Sequence, residues 1–349
     1  MSTRADIETL NEREERVLEL ILHSYIATAE PVGSRTLARA LNNRWSSATI
    51  RNIMADLEEQ GFLFKAHVVA GRIPTGRAFR YYVNSLLIPK GPGKRELQAL
   101  EHLTRQRHPH VAGLMEDASR VLADLCKYTS IVVEPKVNTM LFKEIEFVKL
   151  SKNTVLVVFV TSSGMVHTRL VATEEELDPE FLHGMKAYMN EKCEGLPFYS
   201  LKREIFEDLR RDREAFRMLM AKVVEALEGI MEGEGDREVY LEGASKMIGV
   251  PEFSDISRLK ELFQAFEKKE KLLRLLEKSL EEGGIHVIIG AESDLREMRH
   301  MSIITSTYKI DSSTNGVLGV IGPIRMNYSK IIPIVNGTAN AITEVLSGM

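Results

Sequence analysis

The stretch that decides the fold reads GSRTLARAL (33–41), then SSATIRNIMADLEEQGFL (46–63), then FKAHVVAGRIPTGRAFRYYVNSLL (64–87). Leu37, Ala38 and Leu41 make the inward face of a short helix that Ser34 can cap. Asn42-Asn43-Arg44 is a polar break, after which Ser46 or Ser47 can cap a longer helix. Ile50, Ile53, Met54 and Leu57 form its apolar stripe, and Gly61 stands where a C′ glycine belongs. Upstream, Asn11-x-x-Glu14 is a capping-box pattern, followed by Val17, Leu18, Ile21, Leu22 and Tyr25 at helical spacing. Pro31 and Gly33 end that helix. Two short helices across a tight turn, then a strand running into a basic Gly-Pro loop, is the order of a winged helix-turn-helix, and that order points to double-stranded DNA.

The polar face of the helix after Ser46 carries the argument. Ala48, Asn52, Ala55 and Glu59 lie opposite the apolar stripe, with Thr49 and Arg51 on its shoulders. Its N-terminal half is small or basic, and Asp56, Glu58 and Glu59 all fall in the C-terminal half. A recognition helix enters the major groove by its N-terminal residues, so this polarity suits groove reading. Ser47, Thr49, Arg51 and Asn52 are the candidate base readers, with Arg51 suited to guanine and Asn52 to adenine. The same helix alone could be an ordinary amphipathic one with a solvated face. The loop that follows favours DNA: residues 65–80 hold four Lys/Arg, one histidine and no acid. Arg35, Arg44, Lys65, Arg72 and Arg77 are the candidate phosphate contacts, with Arg72 expected at the loop tip. Residues 33–90 carry a net +6 in a chain of net −4, so the overall acidity does not oppose DNA binding.

The other motifs are weaker. Two cysteines far apart, Cys126 and Cys193, support neither a disulfide framework nor a zinc site. His108-x-His110 lacks a third ligand and reads as a solvated loop, so no metal or cofactor is expected. Gly316, Gly319 and Gly322 recur every third residue without a following helix, which suits close packing in a strand rather than a phosphate loop. Ser162, Ser163 and His167 fit a hairpin turn, and no nucleophile elbow accompanies them, so the chain is not expected to be an enzyme. The N-terminus is polar and acidic, and the longest apolar run, Val155–Val160, is too short to span a bilayer; a cytoplasmic protein is expected.

Beyond the break at 88–94, a helix is predicted over 98–126 and strands over 129–134, 144–150, 155–161 and 166–172, the last three joined by hairpin turns. Residues 175–232 read as helical and charged. Strands are predicted again over 238–241, 285–289, 302–308 and 316–321, with helices over 256–281 and 329–346. Leu259, Leu262, Phe263, Phe266, Leu273 and Leu276 form either an interhelical seam or a face packed on the sheet. The whole is an α+β chain in which one domain is split by an insertion.

EPVGSRTLA (30–38), ATIRN (48–52), MADLEE (54–59) and GRIPT with RYYV (71–75, 80–83) resemble the heat-inducible transcription repressor family, HrcA. LEGASKMIGVPEFSDISRLKELF (241–263) and GVLGVIGPIRMNYSKIIPIV (316–335) are similar to that family's C-terminal signatures. Gly76 stands where the family usually has an acid, and Ser47 where it often has proline; Thr75 can still cap the helix after the loop. The resemblance implies a winged helix-turn-helix domain (1–88), a linker (89–97), a GAF-like α+β domain (98–173 and 237–349) and an inserted helical dimerising domain (174–236). It further implies a homodimer on an inverted-repeat operator, repression of chaperonin and related chaperone operons, and release on heat stress through titration of the chaperonin. A homodimer is also expected physically, because one recognition helix reads too few base pairs to be selective in a genome. The alternative is a ligand-gated regulator that senses a small molecule through the GAF-like domain.

Overall fold

A computed structural model describes residues 10–65, 71–87, 91–108, 110–135, 140–173, 176–201, 204, 221–223, 225, 237–253, 255–293, 295–310 and 314–347. Three helices come first: α1 (Glu12–Thr28), α2 (Ser34–Ala40) and α3 (Ser47–Glu59). Asn11 caps α1 in the predicted box, its side chain accepting from the Arg13 and Glu14 amides while Glu14 accepts from the Asn11 amide. An antiparallel hairpin follows, β1 (Leu63–Lys65) against β2 (Arg72–Pro74), and then α4 (Gly76–Tyr81), continued as a π-helical turn over Tyr82–Leu86. Thr75 caps α4 as predicted, and its hydroxyl also donates to the Gly61 carbonyl at 2.8 Å.

The stretch predicted as one helix over 98–126 is two, α5 (Lys94–Arg105) and α6 (Val111–Cys126). Pro109 falls in the gap, where it can neither donate a helical hydrogen bond nor leave its predecessor helical. The gap is not wholly solvated: His108 is buried and its Nε2 lies 3.0 Å from the Leu103 carbonyl.

A five-stranded antiparallel sheet makes the centre. β3 (Thr129–Val133), β7 (Val239–Glu242), β8 (Ile285–Ile289), β9 (Met301–Lys309) and β10 (Asn315–Pro323) lie in the order β7-β3-β10-β9-β8. Alternation along each strand sends Val132, Ile304, Leu318 and Val320 to one face and Ile131, Val133, Ile303, Val317 and Ile321 to the other. The first face is covered by α6 and by α10 (Tyr328–Ser347). The second is covered by α8 (Ile256–Phe266) and α9 (Lys269–Glu282), which the sequence read as one helix. Leu262, Phe266 and Leu276 pack on the sheet, which decides between the two readings of that stripe. Gly316 and Gly319 also behave as packing glycines: a Cβ at Gly319 would stand 2.7 Å from the Ile304 carbonyl oxygen, and one at Gly316 would enter the Tyr308 ring.

The remaining strands form their own sheet. β4 (Phe142–Ser151), β5 (Thr154–Thr161) and β6 (Val166–Ala172) pair as a meander, with α7 (Pro179–Cys193) on one face and a separate core of Phe142, Phe159, Met185, Met189 and Phe198. The segment 98–173, expected in one domain, is thus shared between two sheets. β3 is flanked by β10 on one side and β7 on the other, so β4 cannot pair with the strand that precedes it in sequence. Most of 202–236, part of the expected insertion, lies outside the described residues. Among the described residues, no helix is long and apolar enough to cross a membrane.

The N-terminal helices and the central sheet share one continuous core. Phe79 of α4 meets Tyr328 of α10 with ring centroids 6.1 Å apart. Arg80 binds both carboxylate oxygens of Glu292 and reaches the Val287 carbonyl at 2.5 Å. Arg325 binds the Glu252 carboxylate and donates to the Ile26 carbonyl at 3.3 Å, in the last turn of α1. A guanidinium there satisfies a carbonyl that the helix leaves unpaired and complements the negative end of its dipole.

Candidate nucleic-acid interface

The turn between α2 and α3 is built from Asn42 and Asn43, with φ of 51° and 57°. Both are left-handed, a region asparagine enters more readily than other residues with a Cβ. The turn lets the Asn43 amide bond the Ala38 carbonyl at 2.8 Å and brings the starts of α2 and α3 together. Ser34 and Ser47 hydroxyls are 2.9 Å apart across that junction. Ser46, rather than Ser47, is the cap: it accepts from the Thr49 amide at 3.0 Å and lies 2.9 Å from the Thr49 hydroxyl. At its other end α3 closes in a Schellman motif, with Gly61 at φ 76°, its amide on the Glu58 carbonyl and the Phe62 amide on the Leu57 carbonyl.

This frame sorts the candidate base readers. Arg51 and Asn52 are exposed on α3 with no partner among the described residues. Thr49 is exposed but shares its hydroxyl with Ser46, and Ser47 is half-buried and engaged with Ser34. Ser47 therefore holds the junction of α2 and α3. Trp45 is half-buried against the N-terminal core, in the turn that enters α3.

The candidate phosphate contacts divide as well. Arg35, Arg44 and Lys65 are exposed. Arg77 is exposed too, with its guanidinium 4.8 Å from the centroid of the Phe62 ring. Arg72 departs from expectation. It lies within β2 rather than at a loop tip, its side chain is 18% exposed, and its Nε is 2.7 Å from Glu58 Oε2. Its backbone pairs in both directions with Val32, each bond 2.9 Å. Residues 66–70, which include the tip, lie outside the described residues. Sequence reasoning missed Glu58 and Val32 as supports of the hairpin. It missed Arg80 as a tie between α4 and the central sheet because a count of cations does not distinguish paired ones.

Among the described residues no group of three His, Cys, Asp or Glu is placed to hold a metal ion. A groove of about 600 Å³ lies between α5 and α10, with chiefly apolar walls that include Leu97, Leu100 and Ile332. The thiol of Cys126 is pushed up to about 12 by burial, so it stays protonated and inert at neutral pH.

Comparison with known proteins places the chain among transcription repressors. It is 40% identical over 339 residues to the heat-inducible transcription repressor HrcA of Geobacter sulfurreducens, covering 97% of this chain and 99% of that one. With the HrcA of Syntrophobacter fumaroxidans it is 38% identical, covering 97% of each. The family model described as the HrcA protein C terminal domain matches residues 112–332. The chain belongs to the HrcA family, whose members are negative regulators of heat-shock genes and not enzymes. Among solved structures, the crystal structure of a hypothetical protein shares the fold with a TM-score of 0.59 at 20% identity, covering 97% of this chain and 99% of that one.

Proposed function

We propose that this chain represses chaperonin and related chaperone operons by binding an inverted-repeat operator as a homodimer. Residues 10–87 act as a winged helix-turn-helix, α3 being the recognition helix and β1–β2 the wing. The observation that carries the reading is the face of α3: Arg51 and Asn52 stand exposed in its N-terminal half, its acids sit at the far end, and Arg35, Arg44 and Lys65 are exposed on α2, the turn before α3 and β1. Phosphate contacts would set register while Arg51 and Asn52 choose bases. The domain of the five-stranded sheet is GAF-like, and the inserted dimerising unit, expected over 174–236, is joined by the sheet β4–β6 on which α7 packs. Supporting a second copy there, the outer face of β4–β6 exposes Val148, Val166 and Leu170 around half-buried Leu156, Val158 and Val160. Such a contiguous apolar face marks an association surface.

The test begins by letting the full chain select duplexes from a random pool; recovery of an inverted repeat is expected. Arg51→Ala and Asn52→Ala should then each weaken binding to the selected duplex by about 5- to 150-fold, with little change on mixed-sequence DNA. Equal losses on both duplexes would remove them as base readers.

Release on heat is proposed to work through the chaperonin. β3 and β7 are hydrogen-bonded neighbours although a whole folded unit separates them in sequence. A core that closes over so long a loop folds slowly through aggregation-prone states. Denatured repressor refolded with chaperonin and ATP should recover operator binding several-fold better than without. Equal recovery would sink the chaperonin link.

A further inference from the structure

Glu58 lies in the acidic half of α3, where a groove-reading helix has no direct use for it. A carboxylate in the last turn of a helix is also unfavourable against the dipole. Its position nevertheless has a structural partner. Arg72, one residue into the second strand of the hairpin, brings Nε within 2.7 Å of Glu58 Oε2, and both side chains are largely covered. The other side of Arg72 is fixed by its backbone pairing with Val32, which extends the hairpin into a third strand position between α1 and α2. The loop-side end of the hairpin, where Arg72 pairs with Lys65, is thus held at two points, one on the connection into α2 and one on α3. The first fixes its distance from the core, and the second fixes its angle to the recognition helix.

From this arrangement we infer that Glu58 is a positioning residue for DNA binding: through Arg72 it sets the wing at the angle from which Lys65 reaches phosphate. Arg72 accordingly serves the wing's placement and does not itself hold the backbone of the DNA. The inference rests on the DNA-binding reading above and assigns a task to an acid which that reading leaves idle.

The sign of one substitution separates this role from a plain solvated acid. Near DNA, an idle carboxylate repels phosphate, so Glu58→Gln would tighten binding by about two- to threefold. A positioning carboxylate gives the opposite result. Glu58→Gln should weaken binding of the full chain to a mixed-sequence duplex by about five- to tenfold and lower the salt slope by about one, as the Lys65 contact is lost. Arg72→Ala should do the same, and the double variant should be no worse than either single, because both remove one interaction. The exchange Glu58→Arg with Arg72→Glu should recover part of the affinity, a readout that a general loss of folding would not give. Tighter binding by Glu58→Gln, or additive losses in the double variant, would overturn the inference. Arg51→Ala on the selected inverted repeat is the parallel control. If it loses preference while Glu58→Gln tightens, the positioning role alone fails; if wild type shows no affinity for either duplex, the DNA-binding reading fails first.

Discussion

Phe79→Ala is expected to destabilise the N-terminal unit by about 3–5 kcal/mol, the cost of emptying a large buried aromatic site. The ring is 1% exposed and meets Tyr25 of α1 on one side and Tyr328 of α10 on the other. It therefore belongs to the core of the helices and to the junction with the sheet at once. Tyr328 cannot move to fill the space, because its hydroxyl is held by Ser302 and by the Ile324 carbonyl, both at 2.7 Å. Against a total stability of about 5–15 kcal/mol for an ordinary domain, such a loss is large. It should appear as an operator-binding activity lost at a temperature several degrees below that of wild type, measured by binding across a temperature series. Phe64→Ala is the internal control. That phenylalanine is 46% exposed on β1, and its removal should change stability by no more than about 0.5 kcal/mol. If Phe79→Ala loses operator binding at the wild-type temperature, the junction does not limit the heat stability of the repressor.

The same junction shows which parts of this protein were legible in its sequence. Most caps were readable because their partners are local: Asn11 with Glu14, Ser46 with Thr49, Thr75 with Ala78, and Gly61 closing α3. The cap expected at Ser34 is instead Gly33, which has no side chain to bond, while the Ser34 hydroxyl is turned to Ser47. The apolar stripe of α3 and its exposed Arg51 and Asn52 follow from a period of 3.6 residues, which needs no knowledge of the rest of the chain. The cations were different. Arg44, Arg72 and Arg80 look alike in sequence, yet Arg44 is exposed, Arg72 is joined to Glu58, and Arg80 is joined to Glu292, more than two hundred residues away. Pairings at that separation carry no periodic signal. The allocation of strands to two sheets has no local signal for a related reason. β4–β6 announce their hairpins through short turns, but nothing local reveals that β3 has already been claimed on its open edge by β7. His108 follows the same rule, since its burial depends on how α5 and α6 close over their corner.

Gly71→Ala should cost the protein nearly all of its useful DNA binding while leaving the central sheet intact. A Cβ at Gly71 would stand 2.3 Å from the Val32 carbonyl oxygen and 2.8 Å from the Val32 nitrogen. Those atoms are backbone and cannot swing aside as a flexible side chain would. Relief requires separating Gly71 from Val32, which breaks the two hydrogen bonds between Val32 and Arg72. Val32 is 3% exposed, so its polar groups would be left without water or partner, at about 1–3 kcal/mol each. The β1–β2 hairpin would lose its anchor to the core, and the Arg72–Glu58 pair would lose its alignment with it. In the proposed homodimer both hairpins are affected, and operator affinity should fall by about one hundredfold, equivalent to about 2.8 kcal/mol. Gly33 supplies the comparison. It belongs to the signature EPVGSRTLA, but a Cβ there meets nothing within 4 Å and its φ of −96° is open to any residue. Gly33→Ala should therefore bind operator within about fivefold of wild type, alanine in place of glycine at a helix N-cap costing about 1 kcal/mol or less. Equal behaviour of the two variants in a titration against the selected duplex would mean that the pairing of β2 with Val32 has no part in recognition.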